Sequence, residues 1–218
     1  MRYLLVLLIM AAAATSQEGP RVLNRSDDYL MGIIEEASDT AYILQDSYVT
    51  AGTLVLRDLH GLCIWFQPGT EIILDDTYSN VIQLMDCSDI TILNGSFRHV
   101  DPLDYYDCQG SVFRLMNSSD ITLDNCTISG CGAMGVVIED CSDVTVTHCL
   151  IQDNSFTAFY LWAFDGLRIV GCEIVDNGRL FYSTGQQYQT NLEMNNNLIM
   201  NNVEPGWGDM LPPGLRDK

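Results

Sequence analysis

Leu115-Met-Asn-Ser-Ser-Asp-Ile-Thr-Leu-Asp-Asn-Cys-Thr-Ile128, Ile138-Glu-Asp-Cys-Ser-Asp-Val-Thr-Val-Thr-His-Cys-Leu-Ile151 and Leu161-Trp-Ala-Phe-Asp-Gly-Leu-Arg-Ile-Val-Gly-Cys-Glu-Ile174 align without a gap. Ile121, Val144 and Leu167 hold one column at a period of 23 residues, which lies in the range of solenoid repeats. Each unit carries a short apolar-polar alternation (Ile121/Leu123, Val144/Val146, Leu167/Ile169) broken by Asn, Asp, Ser and Gly. That is strand periodicity with turn punctuation, with no helical stripe.

Outward from this stretch the column extends to Leu62, Ile90 and Leu192, with spacings of 28, 31, 23, 23 and 25 residues. The excess over the basic period marks loops, the largest between Ser96 and Ser111. The pattern predicts an all-β parallel coil of about six turns over residues 41–203. Its first turn is read as Thr53 to Leu56 and Leu62 to Phe66. Before it, Ser26-Asp27-Asp28 followed by Leu30, Ile33, Ile34 and Ala37 predicts a short amphipathic helix over residues 26–40, suited to cover the apolar end of the first turn. The stretch 204–218 is rich in Pro and Gly and is read as irregular.

The chain opens with Met1-Arg2, an apolar run from Tyr3 to Met10, and small residues to Ser16. This order describes a secretory signal peptide over residues 1–17, and the run is shorter than the ~20 residues of a membrane span. A secreted or periplasmic protein is expected, with no membrane insertion. Asp and Glu number 29 against 10 Lys and Arg, a net charge of −19. That field excludes nucleic acid as a partner, and its simplest use is solubility, which fits a monomer.

Eight cysteines in an exported chain invite disulfides. Cys126, Cys149 and Cys172 share one column, however, and Cys87 and Cys141 share another with Ser118 between them. Stacked thiols filling an inner corner are the expected arrangement, with Cys108 and Cys131 the candidates for a bridge. The three His are scattered and no Cys-x-x-Cys occurs, so zinc has little support. Asp89, Asp120 and Asp143 form a further column, and Asp58, Asp86 and Asp140 another. Asx-type capping of turns explains them; Ca²⁺ or Na⁺ along the ladder is the sharper alternative. No other cofactor is expected.

Gly135-Val-Val-Ile-Glu-Asp-Cys-Ser-Asp-Val-Thr-Val-Thr-His-Cys-Leu-Ile-Gln-Asp-Asn154 resembles the repeat of right-handed parallel β-helix proteins, the pectin-lyase-like superfamily. The resemblance covers roughly Tyr42 to Asn202. It implies three parallel sheets with inward residues stacked in ladders. Asn154, Asn177 and Asn202 would form an asparagine ladder like that of the superfamily. Hydrolases of this fold carry catalytic carboxylates at the strands that here read Asn80 to Leu84, Ser111 to Leu115, Met134 to Ile138 and Thr157 to Leu161. No acidic pair occurs there, although glycoside hydrolysis needs two carboxylates. Asp75-Asp76 is a pair, read as a solvated turn. Of a pectate lyase's calcium-binding acids and basic Arg, only the Arg is suggested. Asp101-Pro-Leu-Asp104 is similar to the Asp-Pro-His-Asp motif of alginate epimerases. Leu103 replaces the catalytic imidazole, so His99 or Tyr105 would have to abstract the proton while Arg114 neutralised the uronate.

The outward positions of the same strands read Gln83/Met85, Arg114/Met116, Val137/Glu139 and Tyr160/Trp162. With the loop that carries His99, Asp101, Asp104 and Tyr105, they would offer aromatic rings and polar groups to a polysaccharide. The candidate substrate-binding set is therefore Arg114, Glu139, Tyr160, Trp162, His99, Asp101, Asp104 and Tyr105, with no catalytic residue assigned. A non-catalytic carbohydrate-binding or surface module is expected. The alternatives are a polysaccharide lyase or uronate epimerase, and a structural solenoid that binds protein.

Overall fold

In the computed structural model the 23-residue column closes into a coil. Ile121 pairs with Val144, and Val144 with Leu167, in parallel register; the same column runs from Leu62 through Ile90 to Leu192. The structure describes residues 26–44, 47–100, 109–130, 133–183 and 189–202.

Helix α1 (Ser26–Glu35) precedes the coil. The first turn runs through β1 (Thr40–Ile43), β2 (Ser47–Thr50) and β3 (Leu54–Arg57); the second through β4 (His60–Phe66), β5 (Glu71–Leu74) and β6 (Ile82–Met85). The third comprises β7 (Ser88–Leu93), β8 (Ser96–His99) and β9 (Ser111–Met116), and the fourth β10 (Ser119–Asp124), β11 (Thr127–Ser129) and β12 (Met134–Glu139). The fifth comprises β13 (Cys141–Thr147), β14 (Leu150–Gln152) and β15 (Thr157–Leu161), and the sixth β16 (Phe164–Val170), β17 (Glu173–Val175) and β18 (Phe181–Ser183). A part-turn of β19 (Gln189–Asn195) and β20 (Leu198–Met200) follows.

Corresponding strands stack into three parallel sheets. Sheet A is β1-β4-β7-β10-β13-β16-β19, sheet B is β2-β5-β8-β11-β14-β17-β20, and sheet C is β3-β6-β9-β12-β15-β18. The coil begins with β1, within a residue of the expected start at 41, and β1 and β2 already pair with β4 and β5, so one turn precedes the turn read from Thr53. The helix is correspondingly shorter than residues 26–40. It ends at Glu35, and the Asp39 carbonyl accepts from the Cys63 N–H at 2.9 Å, so the chain joins sheet A where a longer helix would lie. Leu30 and Ile34 of α1 are buried against the first turn.

Inward positions build a continuous apolar core. Ile90, Ile121, Val144 and Leu167 are fully buried, as are Phe113, Val136 is likewise, and Phe159 closes the row. Phe66, Phe97 and Phe113 form an edge-on stack with centroids 5.1 and 4.8 Å apart. Gly95 leaves room for it: a Cβ there would lie 2.4 Å from the Phe97 ring.

At the corners the backbone needs positive φ. Among the described residues fifteen other than glycine take it, with φ between 48° and 67°, and they fall into columns. Gly61, Asp89, Asp120, Asp143, Gly166 and Asn191 form one. Asp58, Asp86, Asn117 and Asp140 form another, in which each of the first three donates its N–H to the next turn at 3.0–3.1 Å. The acidic columns therefore mark a backbone conformation that Asp, Asn and Gly tolerate best, a firmer reason than Asx capping.

Two polar ladders line the buried corners. Asn154 donates through Nδ2 to Asn177 Oδ1 at 2.8 Å, and Asn177 to Asn202 Oδ1 at 2.9 Å. The backbone N–H groups of Asn154 and Asn177 donate to the same two oxygens at 3.1 Å. The cysteine column does the same work with sulfur. Sγ of Cys126, Cys149 and Cys172 donates to the Ile92, Leu123 and Val146 carbonyls of the preceding turn at 3.4–3.6 Å. Asn197 continues this column with an amide, 2.8 Å from the Ile169 carbonyl. Cys63, Cys87, Cys126, Cys141, Cys149 and Cys172 are free thiols; Cys108 and Cys131 lie outside the described residues.

Candidate functional site

The outward face of sheet C is two rows of side chains fixed by register. One row is Val55, Gln83, Arg114, Val137, Tyr160 and Tyr182. The other is Arg57, Met85, Met116 and Glu139, continued by Trp162, whose N–H donates to the Ile138 carbonyl at 2.9 Å. Strand alternation puts every one of them on the side opposite the core.

The face changes character along its length. At the N-terminal end it is lined by methionine: Arg57 Nη2 lies 3.2 Å from Met85 Sδ, and Gln83 Nε2 lies 2.9 Å from the same sulfur. In the middle, Arg114 and Glu139 meet in a forked ion pair, Nε–Oε2 3.1 Å, Nη2–Oε1 3.2 Å and Nη2–Oε2 2.9 Å. Their side chains are 37 % and 21 % exposed. Such bidentate geometry is the strong form of the Arg–carboxylate contact. The pair is locally neutral, and a uronate would have to displace Glu139 to take the guanidinium. Val137 sits between Arg114 and Tyr160 and is 3 % exposed, a small floor between two long neighbours.

The C-terminal end is aromatic. Tyr160 and Tyr182 stack across adjacent turns with centroids 5.6 Å apart, and Phe156 meets Tyr182 edge-on at 4.8 Å. The Arg179 guanidinium lies 4.9 Å from the Phe156 centroid and 5.5 Å from that of Tyr182, within cation–π range of both rings. Trp162 is 39 % exposed at the end of β15.

The structure thus brings together Arg114, Glu139, Tyr160 and Trp162 on one face. It places His99 elsewhere. His99 points inward from β8 at 1 % exposure, its Nε2 donating to the Ser79 carbonyl at 2.8 Å. Burial holds its pKa below the ordinary imidazole value, opposed by backbone hydrogen bonds and by Asp76. A buried neutral ring anchored to the backbone is a structural element, so His99 leaves the binding set. Asp101, Asp104 and Tyr105 lie outside the described residues. Asp76 of the Asp75-Asp76 pair caps its own turn. Its carboxylate accepts from Ser79 Oγ and, at 2.9 Å, from the Tyr78 N–H, and these bonds, Ser79's first, hold its pKa below the usual range. Among the described residues, no group of three or more His, Cys, Asp or Glu is arranged to hold a metal ion.

Phe156, Arg179 and Tyr182 are the residues that sequence reasoning missed. The signal was present: Phe181-Tyr182 repeats Phe159-Tyr160 at a spacing of 22. The adjoining Gly178-Arg-Leu180 breaks the alternation and hides β18.

The comparisons with known proteins agree with this architecture. The family model of the right-handed β-helix region matches residues 42–208. No curated protein matches the chain. Among solved structures, a candidate glycosyl hydrolase from Parabacteroides merdae superposes with a TM-score of 0.63 at 16 % identity, over 80 % of this chain and 86 % of that one. The ORF18 protein of Geobacillus virus E2 gives 0.64 at 14 % identity, over 77 % of this chain and 35 % of that one. The Dettilon tailspike protein gives 0.52 at 9 % identity, over 79 % and 34 %. The chain thus spans about a third of the length of these last two proteins. At these identities the likeness is one of fold. With the model matched over most of its length, the chain belongs to the right-handed β-helix family.

Proposed function

We propose that this chain is a carbohydrate-binding β-helix that seats sugar rings on the C-terminal half of sheet C's outer face. The observation that carries the reading is the aromatic row: Tyr160, Tyr182 and Phe156 in mutual contact, with Trp162 on the same face and Arg179 held against two of the rings. Rings fixed by their neighbours lose little freedom when they bind, and they accept the apolar faces of sugars while edge groups take the hydroxyls. Gln83 and the Arg114–Glu139 pair supply those polar edges. The solved β-helix proteins that superpose on it include a candidate glycosyl hydrolase and a tailspike, which supports a glycan as ligand without naming one.

A binding role fits the face better than glycoside hydrolysis. Among the paired strand positions, the outward face of sheet C offers one carboxylate, Glu139, and it is engaged by Arg114. Inverting or retaining hydrolysis requires two, placed about 5–9.5 Å apart.

Retention on immobilised polysaccharides, measured for the parent chain and for Tyr160→Ala combined with Trp162→Ala, tests the proposal. The expected result is retention by at least one polymer, lost in the variant, with an unchanged far-ultraviolet spectrum. Equal retention of the two proteins would move the site off this face.

A further inference from the structure

On the outer face of sheet C a chain of directed hydrogen bonds ends on a methionine, and each link fixes the sense of the next. The Ser111 backbone N–H donates to Asn80 Oδ1 at 3.2 Å, and Ser111 Oγ donates to the same oxygen. With its oxygen so engaged, Asn80 turns Nδ2 to Gln83 Oε1 and donates at 3.1 Å. The Gln83 amide is left with only N–H groups to offer further on. They meet sulfur: Nε2 lies 2.9 Å from Met85 Sδ and 3.6 Å from Met116 Sδ. Arg57, the partner of Met85 one turn earlier, adds Nη2 at 3.2 Å from Met85 Sδ. Its guanidinium takes no part in the ion pairs seen among the described residues.

Donors and acceptor are mismatched here. A thioether is a weak acceptor, yet an oriented amide and a charged guanidinium converge on this one, half-buried on a solvent-facing row. A soft metal ion does not explain the arrangement, because the guanidinium repels a cation at that sulfur. An oxygen carried by the sulfur does explain it. We propose that Met85 is a modification site, oxidised by hydroperoxides to a sulfoxide whose oxygen Arg57 and Gln83 receive. With hydrogen peroxide, a sulfur lone pair forms the S–O bond as the O–O bond breaks. The proton of the transferred oxygen passes to the departing one, which leaves as water; sulfur is oxidised and peroxide reduced by the same electron pair. Negative charge grows on the oxygens during the transfer, within reach of both donors. The sulfoxide is polar, chiral at sulfur, and reduced by enzymes that each accept one epimer. Oxidation therefore makes the methionine-lined end of the face polar in a reversible way, and donors fixed about the sulfur select one epimer.

Limited oxidation of the full, folded chain with hydrogen peroxide, mapped by mass spectrometry of its peptides, tests the assignment. Met116 is the internal reference: it is half-buried like Met85, pairs with it one turn on, and has a single, more distant donor. Met85 should oxidise about fivefold faster than Met116, the gain expected of one net hydrogen bond. In the peptides, one of the two epimer-specific reductases should remove its sulfoxide and the other should leave it. In Arg57→Leu the Met85 rate should fall toward that of Met116. Equal rates for the two methionines in the parent chain would overturn the inference, and so would a Met85 sulfoxide reduced half by each enzyme; either result assigns the donors to an oxygen of a bound ligand. If Arg57→Leu loses its fold, both rates rise in it and the comparison within the parent chain decides. Glycan retention plays no part in these readouts, so they stand apart from the test of the binding face.

Discussion

Among the described residues, the fifteen non-glycine residues with positive φ are all Asp, Asn or His. Eight are Asp: 58, 86, 89, 120, 140, 143, 153 and 176. Much of the acidity that first reads as a ligand site is thus a by-product of turning the chain in the same way at every level. Asp120, exposed at φ 54°, tests this. Asp120→Val forces a β-branched residue into the left-handed region, at a cost of about 1–2 kcal/mol. Its melting temperature should fall by about 2–8 °C, whereas Asp120→Gly should melt within a degree or two of the parent. A Val variant as stable as the Gly variant would show that the side chain, and not the backbone, matters there.

At the scale of an element, the cysteine column shows one ladder built from two chemistries. Sulfur donates on three successive turns, the last of them Cys172 to Val146, and an amide takes over on the next, Asn197 to Ile169. The thiols must stay protonated to donate. Burial pushes the Cys141 pKa up to about 11 from 9.0. Cys149 is raised chiefly through its contact with Cys126, and Cys172 through its contact with Cys149. Because the folded-state values lie above those of the unfolded chain, this stability is fully present below pH ~9. It is lost as the pH climbs through the folded values, about 11 for Cys141. A series of melts from pH 8 to 11 should fall progressively, and Cys141→Ala should flatten part of the decline; a flat parent profile would contradict the burial of these groups. The inward columns of these elements were legible before any coordinates, because every turn must repeat an apolar residue at the same place. The outward rows were not. Nothing forces Tyr160 and Tyr182 to recur, so the aromatic row ended one turn too soon in the sequence reading. His99 misled in the opposite sense. A lone histidine beside a long loop suggested chemistry, and only burial reveals that it ties β8 to the Ser79 carbonyl. The separate turn ahead of Thr53 was obscured by Tyr42 in β1 and Leu44 just beyond it, outward residues that are 58 % and 57 % exposed and apolar, which blur the alternation there.

For the molecule as a whole, a net charge of −19 acts against compaction. Four ion pairs are seen among the described residues, Arg98–Glu71, Arg114–Glu139, His148–Asp124 and Arg168–Glu193, too few to offset the excess. Sodium chloride should therefore raise the melting temperature between 10 mM and 300 mM, as the Debye length contracts from about 30 Å to below 8 Å. A decrease over that range would mean that specific ion pairs outweigh the mean repulsion. The arrangement has one further consequence. Every sheet contact joins a level to the one directly above or below it, so no level depends on how many others exist. A gene in which residues 141–163 occur twice in tandem should yield a longer rod of unaltered cross-section. The outer rows would then lengthen by one position each, making reach along a polymer an adjustable property of this scaffold.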